Sequence, residues 1–146
     1  MGDAGTLLAS SDGTSWTIST PLTTANLYGF YYVNSSIVMV GESGTIITSL
    51  NDGSDWDNRT SGTTNRLYKV TYGNSTFVTV GLSGTVLTSS DGTTWTSRTS
   101  GTSNTLNVVT YLNGTFSAVG YSGTFLKSTD GTTWTKVTTL NGDNNS

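Results

Sequence analysis

Four tryptophans recur at near-constant spacing, and this periodicity restricts the possible folds more than any other feature of the chain. Trp16, Trp56, Trp95 and Trp134 lie 40, 39 and 39 residues apart, and each closes a copy of one stretch, seen most clearly as Ser89-Ser90-Asp91-Gly92-Thr93-Thr94-Trp95. A Gly-Thr pair recurs in step at Gly5, Gly44, Gly84 and Gly123. Self-similarity at such a period marks a stack of equivalent supersecondary units. Gly44 to Trp56 spans twelve residues, whereas the other three intervals span eleven. The extra residue therefore falls in the second turn, 49–56, where an insertion leaves strand register intact.

An Asp-Gly pair between short alternating runs predicts a two-residue hairpin tip of type I′, with the Trp opening the returning strand. In the third unit the apolar alternation predicts strands at 67–72, 77–80, 85–88 and 95–98, here called A to D. All three links are of hairpin length, so one repeat is a four-stranded antiparallel meander. The D-to-A link, 99–105, is longer and rich in Ser, Gly, Thr and Asn, which suits a step to the next sheet and gives β-propeller wiring. The main rival is a solenoid of stacked hairpins, whose repeats are shorter and one strand layer deep. The expected fold is all-β: a β-propeller-like array with a half-blade (strands C and D) at 1–20 and blades at 21–60, 61–99 and 100–139. A polar tail follows at 140–146, the whole forming one repeat domain.

Ser and Thr supply 52 of the 146 residues, and 33% of the chain is hydrophobic, a balance that also suits disorder or a mucin-like stalk. Four Trp, seven Tyr, a single proline and strict periodicity point instead to a thin-cored β structure with Thr-rich outer faces. Without Cys or His the chain has no disulfide, no thiol site, no usual proton shuttle and none of the commonest metal ligand. No cofactor is expected. A net charge of −3 with scattered Lys and Arg gives no nucleic-acid footprint, and no apolar run reaches membrane-spanning length. Residues 1–4 lack the basic and apolar regions of a signal peptide, so work outside a cell requires another export route or a leader already removed.

At the four tips the sequence resembles the Asp-box, or bacterial neuraminidase repeat, of pattern Ser-x-Asp-x-Gly-x-Thr-Trp. Residues 49–56 have its full length, with Asn51 in the Asp place; the other copies are one residue shorter and set Asp12, Asp91 and Asp130 directly before Gly13, Gly92 and Gly131. The strands between resemble the repeats of photosystem II assembly factor-like and phage-associated propellers. The resemblance implies a folding device at each tip, in which the Asp bonds turn amides and the Trp packs into the sheet layer. The structural set is then Asp12, Gly13, Trp16, Asn51, Asp52, Gly53, Trp56, Asp91, Gly92, Trp95, Asp130, Gly131 and Trp134. Asp can bond backbone N–H groups in a turn on elementary grounds as well. The motif says little about activity, since it occurs in sialidases, sorting receptors, assembly factors and non-catalytic surface proteins. A sialidase would need three clustered arginines with a Tyr–Glu pair. Here the arginines are Arg59, Arg66 and Arg98, two of them in equivalent strand D positions, and Glu42 is the sole Glu. The chain is therefore expected not to be an enzyme.

One local concentration of carboxylates, Asp52, Asp55 and Asp57, is a candidate cation site, although the tips lack the dense oxygen spacing of a calcium loop. Asn34, Asn74 and Asn113 begin sequons at one repeat phase, and Asn58 and Asn144 begin two more, which makes all five candidates for glycosylation. The half-blade has C and D strands without A and B, leaving an open edge and uncovered end faces. The leading expectation is a non-catalytic structural or interaction module that pairs with further copies of itself. Such pairing gives a closed dimer of about seven blades or a head-to-tail filament. The expected setting is extracellular, at a cell surface or on a virion. The alternative is a glycan-binding lectin or adhesin with one shallow site per blade.

Overall fold

The computed structural model describes residues 3–19 and 23–137. The expected tail at 140–146, the boundaries at 20–21 and 139, and the Asn144 sequon lie outside those residues. A first, two-stranded sheet pairs β1 (Leu7–Ala9) with β2 (Thr17–Ser19). The first full blade follows as β3 (Leu27–Val33), β4 (Ser36–Gly41), β5 (Ile46–Ser49) and β6 (Asp57–Arg59). The second is β7 (Leu67–Gly73), β8 (Thr76–Gly81), β9 (Val86–Ser89) and β10 (Thr96–Arg98), and the third is β11 (Leu106–Leu112), β12 (Thr115–Gly120), β13 (Phe125–Ser128) and β14 (Thr135–Lys136). Neighbours in each sheet are consecutive in sequence and antiparallel, so every blade is a meander. The protein is an all-β, propeller-like array of three full blades and an N-terminal half-blade.

The expected type I′ geometry is present, but at other turns. It joins A to B at Asn34-Ser35, Asn74-Ser75 and Asn113-Gly114, where both residues have positive φ (49° and 63°, 47° and 56°, 51° and 78°). At the Asp-Gly tips the two-residue expectation is wrong. Between β9 and β10 the loop runs from 90 to 95, Gly92 takes φ 78°, and Asp91 does not enter the left-handed region. Side chains close this wider loop: Ser89 Oγ accepts from Gly92 N at 2.8 Å, and Asp91 Oδ1 accepts from Thr93 N and Thr94 N at 2.8 and 3.0 Å. Trp95 consequently precedes strand D instead of opening it. The second copy, with its extra residue, does contain the positive-φ pair: Asp52 at 58° and Gly53 at 85°, closed by Ser54 N donating to Asn51 O at 3.2 Å.

In the first two full blades the Gly-Thr pair has a packing reason, which Gly123 in the third does not share. A Cβ on Gly44 would stand 2.0 Å from Thr63 O, and one on Gly84 the same distance from Thr102 O, because the link to the next blade crosses there. Asn65 and Asn104 pin those links by donating Nδ2 to Thr85 Oγ1 and Thr124 Oγ1, each at 2.9 Å. The A strands of successive blades lie side by side, β3 against β7 and β7 against β11, closely enough that a Cβ on Gly73 would enter the Tyr111 ring. The core is thus not inside a blade but between blades, where side chains of two sheets interleave.

Candidate interaction site

Two junctions between full blades are complete and alike. In the first, Val38, Val40 and Ile46 of one blade pack on Leu67, Val70, Phe77, Leu87 and Trp95 of the next. In the second, Val78, Val80 and Val86 pack on Leu106, Val109, Phe116 and Leu126, with Trp134 against them. Register makes Phe30 the counterpart of Val70 and Val109, and Ile37 the counterpart of Phe77 and Phe116.

Among the described residues, the corresponding face of the first full blade is covered only in part. Leu7 of β1 packs on it with Leu27, Met39 and Ile47, yet Phe30 is 56% exposed where Val70 and Val109 are 5% and 4% exposed. Tyr32 and Leu8 are also exposed. Beside Phe30 and Leu8 lies an apolar cavity of about 240 Å³ whose walls also include Leu7, Ile37, Met39, Gly53 and Trp56. Asp52 stands at its edge and accepts from Tyr32 Oη at 2.8 Å, a bond that raises the Tyr32 pKa above the ordinary phenol value. The sequence reading did not single out this face. Its signal lay in the repeat alignment, as a Phe where other units have Val and an Ile where they have Phe.

The tip residues form local networks, one per sheet. Asp12 Oδ1 accepts from Thr14 N and Ser15 N at 2.7 and 2.8 Å, and Asp130 Oδ1 from Thr132 N and Thr133 N at 2.8 and 2.9 Å. The N–H groups of Ser15, Thr94 and Thr133, seconded by those of Thr14, Thr93 and Thr132, hold the three carboxyls below the ordinary carboxylate range. Asn51 Oδ1 takes the same place in the second copy, accepting from Asp55 N at 2.9 Å. Trp95 and Trp134 donate Nε1 to Gly92 O and Gly131 O at 3.1 and 2.7 Å. Trp56 Nε1 is buried with no hydrogen-bond partner among the described residues, the extra residue having reshaped its turn. Trp16 is 59% exposed.

Asp52, Asp55 and Asp57 do not converge as a cation site. Each has a separate partner: Tyr32, Asn51 Nδ2 at 2.8 Å and Arg59 at 3.3 Å, respectively. No group of three carboxylates among the described residues is arranged to hold a metal. Tyr28 Oη donates to Glu42 Oε1 at 3.0 Å, and Arg66 reaches the same oxygen at 3.4 Å while lying 5.4 Å from the Tyr28 ring centroid. Asn26 N–H, with Tyr28 Oη, holds Glu42 below its ordinary pKa. That tyrosine–carboxylate pair has one arginine and not three. Arg59 and Arg98 lie on the outer strands β6 and β10, donating Nε to Thr48 Oγ1 and Thr88 Oγ1 at 2.6 and 2.8 Å. Asn34, Asn74 and Asn113 are exposed at the first position of the A–B turns, where their left-handed backbone accounts for Asn without a glycan.

No protein-family model matches the sequence, and no curated protein matches it. Solved structures do. The chain is similar to YCF48 bound to a D1 peptide, with a TM-score of 0.72 and 20% identity over 88% of this chain and 44% of that one. It is similar also to YCF48 from Cyanidioschyzon merolae, with a TM-score of 0.64 and 19% identity over 77% of this chain and 39% of that one. The chain spans less than half the length of either structure. At these identities the likeness shows the fold, and it fits the expected resemblance to photosystem II assembly-factor propellers. It also corrects two expectations. The partner recorded with YCF48 is a peptide, which overturns further copies of the chain and glycans as the expected partners. Both neighbours are photosystem assembly-type proteins and not cell-surface or virion proteins, which overturns the expected extracellular, cell-surface or virion location.

Proposed function

We propose that this chain is a non-catalytic, propeller-type module that binds a protein partner, and that the apolar face of its first full blade receives it. The observation that carries this reading is the exposure of Phe30 and Leu8 in the walls of the cavity beside Trp56. Contiguous apolar surface of this kind marks interaction sites on soluble proteins. Similarity to a propeller that holds a D1 peptide supports the class of partner. The local engagement of Arg59 and Arg98, away from the Tyr28–Glu42 pair, supports the non-catalytic side of the reading.

The tip residues serve in this proposal as Asp-box folding elements, with Asp12, Asn51, Asp91 and Asp130 holding their loops and the tryptophans anchoring them to the sheets. The units 21–60, 61–99 and 100–139 act as blades of one repeat domain, preceded by the half-blade 1–20. The hydrogen bonds at Ser89, Asp91, Ser128 and Asp130 support this assignment.

A display library of linear peptides selected on the purified chain, followed by calorimetric titration of the selected sequences, tests the function. The expected result is saturable binding that Phe30→Asp abolishes. Peptides indifferent to Phe30→Asp, or turnover of a sialoside by the chain, would contradict it.

A further inference from the structure

Strand D carries an arginine at the same place in the first two full blades, and only one of the two has a carboxylate beside it. Arg59 stands opposite Ile46 and Arg98 opposite Val86, each at the end of its hairpin farthest from the C–D tip. Both donate Nε to a buried threonine of strand C, Thr48 or Thr88. Residues two apart on a strand share a face, so the side chain at 57 or 96 lies beside the guanidinium. In the first blade that neighbour is Asp57, 3.3 Å from Arg59 Nη2. In the second it is Thr96, and among the described residues Arg98 has no carboxylate within ion-pair distance.

The two arginines border equivalent grooves. Arg59 lines one of about 770 Å³ and Arg98 one of about 560 Å³, each lined also by the turn before strand C and by the link to the next blade. Every described wall of the second groove comes from residues 62–103, and apart from Arg98 those walls are Ser, Thr, Gly and Asn alone. The surrounding charge differs in the same sense. Residues 21–60 hold Glu42, Asp52, Asp55 and Asp57 against Arg59, whereas 61–99 hold Arg66, Lys69 and Arg98 against Asp91. Asp91 lies at the tip, beyond the other end of β10, with Oδ1 committed to the amides of Thr93 and Thr94.

Arg98 is half-buried, which strips part of its hydration, and with Nε held by Thr88 its Nη groups have no acceptor among the described residues. Their planar fork fits an oxyanion in two-point contact. We propose that the groove at Arg98 is an oxyanion site, taking a carboxylate or phosphate group on the Nη atoms while Thr88 fixes the plane of the guanidinium. Asp57 supplies that contact to Arg59 from within its own blade, and its charge repels a second anion. The site is separate from the apolar face of the first full blade and does not rest on the function proposed for it.

The chain's three arginines give three side-chain Nε–H signals, which allows a direct test in the ¹⁵N-labelled chain. Sodium acetate or sodium phosphate is added in place of sodium chloride at constant ionic strength. The Arg98 signal should shift saturably, with Arg59 and Arg66 needing at least tenfold more of the same anion. Saturation by both anions supports a site for either group; saturation by one alone supports the site and assigns it to that group. Thr96→Asp, at an exposed position, supplies the carboxylate that the first blade has and should abolish the Arg98 response. Asp57→Thr, also exposed, should confer the response on Arg59 and keeps the test informative if the other variant fails to fold. Equal responses from all three arginines, a shift that never saturates, or an Arg98 response that survives Thr96→Asp would overturn the site.

Discussion

Replacing Trp95 and Trp56 by Phe should have opposite polar consequences, although the atoms removed are the same. At Trp95 the change deletes the Nε1 bond to Gly92 O and leaves a carbonyl of a buried residue unpaired. The lost bond and the stranded acceptor together cost about 1–3 kcal/mol. At Trp56 the change removes a buried N–H that has no partner among the described residues, which relieves a penalty of about the same size. The packing loss is shared, so it cancels in the comparison. Trp95→Phe should then be more destabilising than Trp56→Phe by about 2 kcal/mol or more. Blades in an array can unfold separately, so the assay is hydrogen exchange read independently over residues 27–59 and 67–98 at increasing urea. Equal losses in the two blades, or a larger loss at Trp56, would refute the reasoning.

The tip networks make Asp91→Ala cost about 0.5–2 kcal/mol, the range for losing a capping side chain, whereas Asp91→Asn should cost less, because it keeps the acceptor that Asn51 supplies in the second copy and loses only the charge; urea midpoints distinguish the two. Asp91 and Asp130 titrate below ordinary carboxyls when folded, so their contribution is present above the unfolded-state value near about 4 and is lost as pH falls through the lowered values. The urea midpoint should therefore fall between about pH 5 and pH 2, and fall less in the Asp91→Asn, Asp130→Asn variant. Gly73→Ala should cost about 3 kcal/mol, since the new Cβ enters the Tyr111 ring, while Gly114→Ala should cost about 1–2 kcal/mol from its left-handed backbone in open space. Trp95→Ala should cost about 3–5 kcal/mol by thermal unfolding and Trp16→Ala under about 1 kcal/mol, because Trp95 is 9% exposed and Trp16 is 59% exposed.

Strand order was legible because period, turn residues and link lengths all demand the same meander, and the structure has it in three blades. The turn at the Asp-Gly pairs was misread for a definite reason. The dipeptide alone favours type I′, but Ser and Asp two residues apart offer their own acceptors to the loop amides and stabilise a wider tip. The second copy shows the balance, since one added residue restores the positive-φ pair at Asp52-Gly53 and strands the Trp56 N–H. The partly covered face was written at Phe30 and Ile37, yet its meaning needed the burial of Val70 and Phe77 for comparison. Partner and location were not legible at all, because a motif that shapes a loop carries no trace of what the blades bind.

The four indole N–H signals offer a direct test of the central claim, since each tryptophan reports on one sheet. Titrating a peptide selected from the display library into the ¹⁵N-labelled chain should shift the Trp56 indole resonance and leave those of Trp95 and Trp134, in closed junctions, in place. Saturable binding that moves Trp95 or Trp134 while Trp56 stays still would contradict the account.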